Sequence, residues 1–307
     1  MIELRQSGAT WMDGHVDGFI RDDRQPVPDD GLLPGASFAL GDRMAGPSVM
    51  MSITRRLYPK KTPVHLHKTD TFRMAFGEPL VVGRRSYAHG EFRLQHVGTY
   101  YGPELWTDEV GTNQLLVMAD RRGGKPYLTT PELQALSDMG RSAEEDLGEG
   151  YRQHDRDTDV SHQIGNNFGT TSHAGHWDGG FTDTSAWPEL VDGSRLGVIT
   201  MGPADSGPIF LCWDRPPGAP ELPGFTAATD LMRLVVDGSV VIGGEELPRL
   251  GFRLQQAGTV TGASRPGPEG LKELWLFADR RGLPPLGTEI EAQVAAVRST
   301  APSAVSA

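Results

Sequence analysis

The chain has 307 residues, a formal net charge of −11 and a single cysteine, Cys212. An acidic balance with no basic stripe argues against a sequence-independent grip on nucleic acid, and one cysteine excludes an intrachain disulfide. No apolar run approaches the roughly 20 residues that span a bilayer, and residues 1–5 are followed by no apolar signal core, so a cytoplasmic protein is expected, with neither nucleic acid nor membrane as partner.

The 39 glycines and 23 prolines are scattered, which reads as many short strands joined by turns: an all-β chain. In chain order, Trp11 opens a first segment and Gly46-Pro47 marks a turn within it. Short β-rich runs bounded by glycine follow at 80–82, 92–97 and 115–118. Thr129 stands ahead of Glu132 as a capping box for a short helix whose apolar stripe begins at Leu133 and Leu136. Residues 140–175 are polar and charged, which makes them a linker or surface excursion and not a third domain. Trp177 then opens a second segment that repeats the first. Residues 229–262 lie over 69–102 without a gap, with roughly a third of positions identical. Thr69-Asp70 recurs as Thr229-Asp230, Arg73 as Arg233, Phe92-Arg93-Leu94-Gln95 as Phe252-Arg253-Leu254-Gln255, and Gly98-Thr99 as Gly258-Thr259. After one dropped residue, Ala119-Asp120-Arg121-Arg122-Gly123 recurs as Ala278-Asp279-Arg280-Arg281-Gly282. A second capping box, Thr288 with Glu291, precedes a stripe of Ile290, Val294 and Val297. The duplication predicts a first domain over 1–140, a linker over 141–176, a second domain over 177–298 and a flexible tail over 299–307.

The run Pro63-Val64-His65-Leu66-His67, with Asp70, Gly83, His89-Gly90-Glu91-Phe92 and Gly98-Thr99-Tyr100-Tyr101-Gly102-Pro103 behind it, resembles the cupin superfamily. The resemblance implies a bicupin: two tandem double-stranded β-helix (jelly-roll) barrels with short C-terminal helices, and a metal-binding site inside the first. Carried over by position, the family's two metal histidines fall on His65 and His67, its glutamate on Thr71 and its last histidine on Tyr101. The same positions in the second segment are Phe225, Ala227, Leu231 and Thr261, so the second barrel is expected without metal. The family spans many reactions and implies none in particular.

On a strand, alternate side chains share a face, so His65, His67, Thr69, Thr71 and Arg73 point one way. Two imidazoles so spaced bite one metal only with a third donor. Tyr101 is the candidate, with Glu78 or Glu104 approaching from a loop. The expectation is either one divalent transition metal (Fe, Zn, Mn or Ni) or none, the histidines then serving as acid/base or hydrogen-bonding groups. Arg73 and Arg233 each require an anion: a substrate carboxylate or phosphate, or an ion pair with Asp120 or Asp279, which their recurrence favours. Substrate contacts are expected from Arg73, Thr71, Gln95 and Trp106. His173 and His176 read as loop histidines at solvent or an interface, and Cys212 as buried filler. The opposite strand face, Phe72, Met74 and Phe76 with Met232, Leu234 and Val236, is also apolar, so the barrels pack on each other or on a second subunit of a homodimer. The expected function is a small-molecule enzyme acting on a polar or anionic metabolite in the first barrel by metal-assisted oxidation, isomerisation or elimination. The alternative is a non-catalytic binding or regulatory bicupin with a lost metal site.

Overall fold

Strands dominate the computed structural model, which describes residues 3–5, 10–12, 14–19, 35–42, 45–54, 60–62, 65–76, 79–83, 85–102, 104–106, 112–123, 127–128, 162–169 and 175–300. The fold is all-β, and Thr288–Thr300 is the α-helix among the described residues. The larger sheet of the first barrel runs in the order Glu3–Arg5, Gly35–Ala39, Ser48–Thr54, Thr112–Met118, Thr71–Phe76, Glu91–Gln95, His176–Gly180. A smaller sheet runs Arg85–Tyr87, Leu80–Val82, Glu104–Trp106, Lys60–Thr62. From Ser48 to Met118 the chain crosses repeatedly between the two sheets, with His65–Leu66 pairing separately with Tyr127–Leu128, which is the winding of a jelly roll. In the second barrel, the long strands Leu231–Ile242 and Ser264–Phe277 pair within one nine-stranded sheet, and their register shifts at Val235/Asp237 and Gly238/Val240. Gly238 makes the bend possible: its φ is +72°, and a Cβ there would lie 2.2 Å from the carbonyl oxygen of Gly270.

The two copies exchange strands from their N-terminal parts. His15–Phe19 pairs with Gly251–Gln255 of the second copy, and His176–Gly180 pairs with Glu91–Gln95 of the first. His15 lies opposite Gln255 and His176 opposite Gln95. Gly14-His15-Val16-Asp17-Gly18 is therefore the counterpart of Gly175-His176-Trp177-Asp178-Gly179. This corrects the pairing of Trp11 with Trp177: the register equivalent of Trp177 is Val16. It also moves His176 from a loop to a buried strand position. Residues 162–169, assigned to the linker, lie on the second barrel, where Gly165–Asn166 pairs with Arg195–Thr200. The helix of the first copy around Glu132, the linker residues 141–161, His173 and the tail 301–307 lie outside the described residues.

The apolar outer faces cover each other. Phe72, Met74, Phe76, Phe92 and Leu115 share one cluster with Met232, Leu234, Leu274, Leu276 and Phe210, all buried. Phe72 stacks on Phe210 with ring centroids 4.7 Å apart. A second subunit is not needed to bury this surface. Two buried aspartates fasten the join. Asp70 accepts from Val97 N in its own copy and from Gly202 N in the other; Asp230 accepts from Ala257 N and, across the interface, from Gly41 N, all at 2.8–2.9 Å. The repeated Ala-Asp-Arg-Arg-Gly segment is structural as well. Arg121 donates to the carbonyls of Leu40 and Gly46, and Arg280 to those of Met201 and Ala204. Arg280 loses basicity to burial first and then to nearby Arg298, down to a pKa of about 10.

In the helix Ile290, Val294 and Val297 are buried, as the stripe predicts. The cap differs: Gly287 stands at the N-cap position, its carbonyl accepting from Glu291 N, while the Glu291 carboxylate accepts from Leu286 N at 3.3 Å. No helix among the described residues is long and apolar enough to cross a membrane.

Strand exchange has a direct consequence. Each large sheet takes an edge strand from the other copy, and Asp70 and Asp230 lose an amide donor if the copies part. Fragments 1–160 and 161–307 expressed separately are expected to be unfolded or aggregated, and to assemble into one particle when co-expressed. Circular dichroism and gel filtration check this; two fragments that each melt cooperatively would show the copies to be independent.

Candidate functional site

The two barrels are filled differently. The second holds Trp213, Trp275, Phe277, Leu196, Val198 and Leu231, closed off by Ile290, Val294 and Val297 of the helix. Among the described residues the first has a smaller apolar cluster of Ala75, Leu80, Val82, Tyr87 and Tyr101, with Leu116 opposite Arg73, and several polar side chains beside them. His65, His67, Thr71, Arg73, Arg93, Gln95 and Gln114 are all buried.

Strand geometry brings the predicted residues together. His65 and Tyr101 form an isolated antiparallel bridge, His65 N donating to Tyr101 O at 3.1 Å and Tyr101 N to His65 O at 3.0 Å. That bridge places the rings of His65 and Tyr101 4.3 Å apart and that of His67 5.2 Å from His65. Tyr101 Oη lies 2.9 Å from His67 Nε2 and accepts from Arg73 Nη2 at 2.8 Å. An arginine only donates, and the phenol oxygen that accepts from it shares one further hydrogen bond with His67 Nε2, in which the phenol is the donor where the imidazole carries its proton on Nδ1. Burial pushes the phenol above its ordinary pKa, opposed by the charge and hydrogen bond of Arg73 and by Arg93. The Arg73 guanidinium carbon also sits 4.9 Å from the centre of the Tyr101 ring.

Gln95 is tied to backbone and neighbour, Nε2 donating to Thr99 O at 3.0 Å and Oε1 accepting from Arg93 Nε at 3.3 Å. Thr71 is buried on the strand of Arg73 and lies opposite Gln95. Trp106 belongs to the strand Glu104–Trp106 and not to a loop; its side chain and those of Glu78 and Glu104 lie outside the described residues. Cys212 is buried in the interface between barrels, and burial raises its thiol pKa far above the range where a thiolate forms, which suits a filler. Phe225 is only partly buried, so the full core-deletion cost of roughly 3–5 kcal/mol for removing a buried Phe does not apply to it.

The arginine partners differ from expectation. Arg233 pairs with Glu273, Nε to Oε1 at 2.7 Å and Nη2 to Oε2 at 2.9 Å, and not with Asp279. Asp279 is held by Arg281 and Asp120 by Arg122, each two residues along the chain. Sequence spacing does not reveal Glu273 as a partner because the register of Leu231–Ile242 against Ser264–Phe277 creates the contact. The residues missed in the first barrel are Arg93, Tyr87 and Asp178. Arg93 Nη1 is 3.4 Å from Tyr87 Oη, which donates to Asp178 Oδ1 at 2.7 Å; Arg85 pairs with the same carboxylate. Arg85, Tyr87 and Asp178 line an open cleft of about 570 Å³ together with Glu91 and Asp183. The repeated Phe-Arg-Leu-Gln segment was the signal that could have found Arg93.

Among the described residues, the donors beside His65 and His67 stop at Tyr101. This set does not fit a divalent ion: the third donor is a phenol that burial keeps protonated, already bonded to His67 and next to a guanidinium. A group of His15, Asp17 and Glu245 in the second barrel has its ligand atoms within 4.8 Å of one another. There Arg253 Nη2 already bridges Asp17 Oδ2 at 2.6 Å and Glu245 Oε2 at 2.8 Å, so a cation holds the site.

No protein-family model and no curated protein matches the chain. Among solved structures it is similar to a mutant of Bacillus subtilis oxalate decarboxylase, at 12% identity and a TM-score of 0.43, over 91% of this chain and 83% of that one. It is similar to the formate complex of Lactobacillus farciminis oxalate decarboxylase at 11% identity and a TM-score of 0.43, over 83% and 88%. A mutant of salicylate 1,2-dioxygenase from Pseudoaminobacter salicylatoxidans is similar at 16% identity and a TM-score of 0.44, over 76% and 70%.

Proposed function

We propose that the first barrel is the site of a small-molecule enzyme of the bicupin type, acting by proton transfer on a polar, anionic metabolite, with the second barrel as its scaffold. The observation that carries this is the hydrogen-bonded chain from Arg73 to Tyr101 to His67. Its counterpart in the second barrel is Arg233, Thr261 and Ala227, which holds no acid or base at the last two positions. The neutral phenol of Tyr101 is the acid, and His67, accepting at Nε2, is the base. A proton taken from one substrate atom by His67 and one delivered to another atom by Tyr101 give an isomerisation or an elimination. Arg73 supplies fixed positive charge beside the phenol oxygen and stabilises the phenolate left behind. His65 orients the pair through its backbone bridge to Tyr101 and its ring contact.

Incubation of chelator-treated protein with a mixture of small polar acids and sugars in D₂O, followed by proton NMR, tests the proposal. Solvent deuterium entering a substrate, unaffected by chelation, is the expected result. Turnover that disappears on chelation and returns with Fe, Mn, Zn or Ni would replace it with the metal-assisted reading. Binding without exchange would favour the non-catalytic binding module.

A further inference from the structure

We infer that Thr99 and Gln95 are positioning residues for the Tyr101–His67 pair, and that the second copy, through the carbonyl of Gly175, holds the acid and the base of the first barrel in place. The inference rests on the reading of that pair as acid and base. Both residues act through the turn 96–99, which joins the strand Glu91–Gln95 to the segment of Tyr101. All four backbone amides of this turn are bonded. His96 N donates to Gly175 O at 2.8 Å, Val97 N to Asp70 Oδ1 at 2.8 Å, Gly98 N to His67 O at 2.9 Å and Thr99 N to His96 O at 3.2 Å. Gly98 closes the turn at a φ of +73°. Two of these bonds lead to the second copy: Gly175 precedes the exchanged strand His176–Gly180, and Asp70 holds Gly202 N with its other carboxylate oxygen. A third ends on the peptide that carries the base.

Two side chains fasten the end of the turn nearest the acid. Thr99 Oγ1 donates to Gly175 O at 3.2 Å, so one carbonyl of the second copy takes two bonds from this turn. Gln95 Nε2 donates to Thr99 O at 3.0 Å, two residues before Tyr101, while Gln95 Oε1 accepts from Arg93 Nε at 3.3 Å. Gln95 is 3% exposed and Thr99 2%, so water does not compete for these bonds. Beyond the turn, Tyr101 is joined to His65 by two backbone bonds. The acid is thus held from both sides, by Thr99 before it and His65 across from it. The 2.9 Å separation of Tyr101 Oη from His67 Nε2 depends on these backbone anchors. A misplacement of about 1 Å in such a pair can cost on the order of 10²-fold in rate.

The duplication separates positioning from plain structure. In the second copy the turn 256–259 repeats the same bonds: Gln256 N to Gly14 O at 3.0 Å, Ala257 N to Asp230 Oδ1 at 2.8 Å, Gly258 N to Ala227 O at 2.8 Å and Thr259 Oγ1 to Gly14 O at 3.1 Å. The glutamine is used differently there. Gln255 Oε1 accepts from Thr261 Oγ1 at 3.2 Å, and Thr261 stands at the position of Tyr101. The threonine bond is common to both copies, whereas only the first copy's turn ends on an acid and a base. Thr259 is therefore an internal control for Thr99.

Thr99→Val removes the hydroxyl bond at nearly constant volume, and Thr259→Val removes the matching bond in the other barrel. Imidazole nitrogen NMR on the full chain with labelled histidine, His67 being assigned from the spectrum of His67→Ala, reads the bond to Tyr101; solvent-deuterium exchange into substrate reads its consequence. Both valine variants are expected to lower the melting temperature to a similar extent. Only Thr99→Val is expected to shift the His67 signals and to slow exchange by about 10- to 100-fold, and Thr99→Ser, which restores the hydroxyl, is expected to return both. The inference is overturned if Thr99→Val leaves the His67 signals and the exchange rate unchanged, if Thr259→Val alters them as much, or if Thr99→Ser does not restore them. If Thr99→Val does not fold, Gln95→Met, which keeps the side chain's length and loses the donor to Thr99 O, is read in the same way. If the unaltered protein exchanges no deuterium, the acid–base reading falls and the His67 signals alone decide the positioning. Unaltered exchange and unaltered His67 signals in Thr99→Val overturn the positioning alone.

Discussion

Glu273→Gln is expected to lower the unfolding free energy by about 3–5 kcal/mol, because it leaves a guanidinium buried without its counter-charge. Arg233 is 0% exposed and Glu273 1%, and their two hydrogen bonds form a fork. The glutamine retains the length of the side chain and one acceptor, so the loss reports charge more than packing. Replacing both partners, Arg233→Met with Glu273→Leu, is expected to recover most of the loss, since a well-packed apolar pair often equals a buried ion pair. Urea unfolding followed by tryptophan fluorescence measures both, with Trp213 and Trp275 in the affected core. A single-variant loss below about 1 kcal/mol, the range of exposed pairs, would mean that water reaches this pair and that the second barrel is open.

The largest effect on activity is expected at the Tyr101–His67 pair. Tyr101→Phe removes one hydroxyl and keeps the ring that packs at a tilt against His65, and His67→Ala removes the base. Each is expected to reduce solvent-deuterium exchange into substrate by about 10²–10⁴-fold, the usual worth of a positioned acid or base. Both should leave the melting transition nearly in place, because the backbone bridge between His65 and Tyr101 needs neither group. Burial raises the phenol's pKa, so the protonated acid persists beyond the ordinary phenol value of about 10 and the alkaline limb of the rate profile lies above it. The same shift stabilises the fold fully below the ordinary phenol pKa, and this contribution fades as the pH rises through the higher folded-state value. Variants that exchange deuterium at the unaltered rate would show the pair to be structural. The acid–base reading would then be abandoned.

Much was legible in the sequence because the duplication preserves residues that fix the backbone. Thr69-Asp70 and Thr229-Asp230, the two Gly-Thr turns and the two Ala-Asp-Arg-Arg-Gly segments recur because each positions backbone amides or carbonyls, and side-chain chemistry of that kind varies little between copies. Alternation along Thr71–Phe76 correctly placed Arg73 on the face opposite Phe72, Met74 and Phe76, since a strand has a fixed period of two. The His65, His67 and Tyr101 grouping was legible from the cupin resemblance.

Contacts between distant strands were not legible. The partner of Arg233 was sought in Asp279 and lies in Glu273; the strand facing Glu91–Gln95 comes from residues 176–180, at the far end of the expected linker. Both depend on cross-strand register, which no local pattern encodes. The sequence by itself determined an all-β duplicated chain, which copy carries the histidines, and which strand faces are apolar. Only the tertiary structure decided that the copies exchange strands, that their apolar faces close on each other, and that Glu273 compensates Arg233. The physical reason is that periodicity is a property of one strand, whereas charge compensation is a property of two strands brought together by folding.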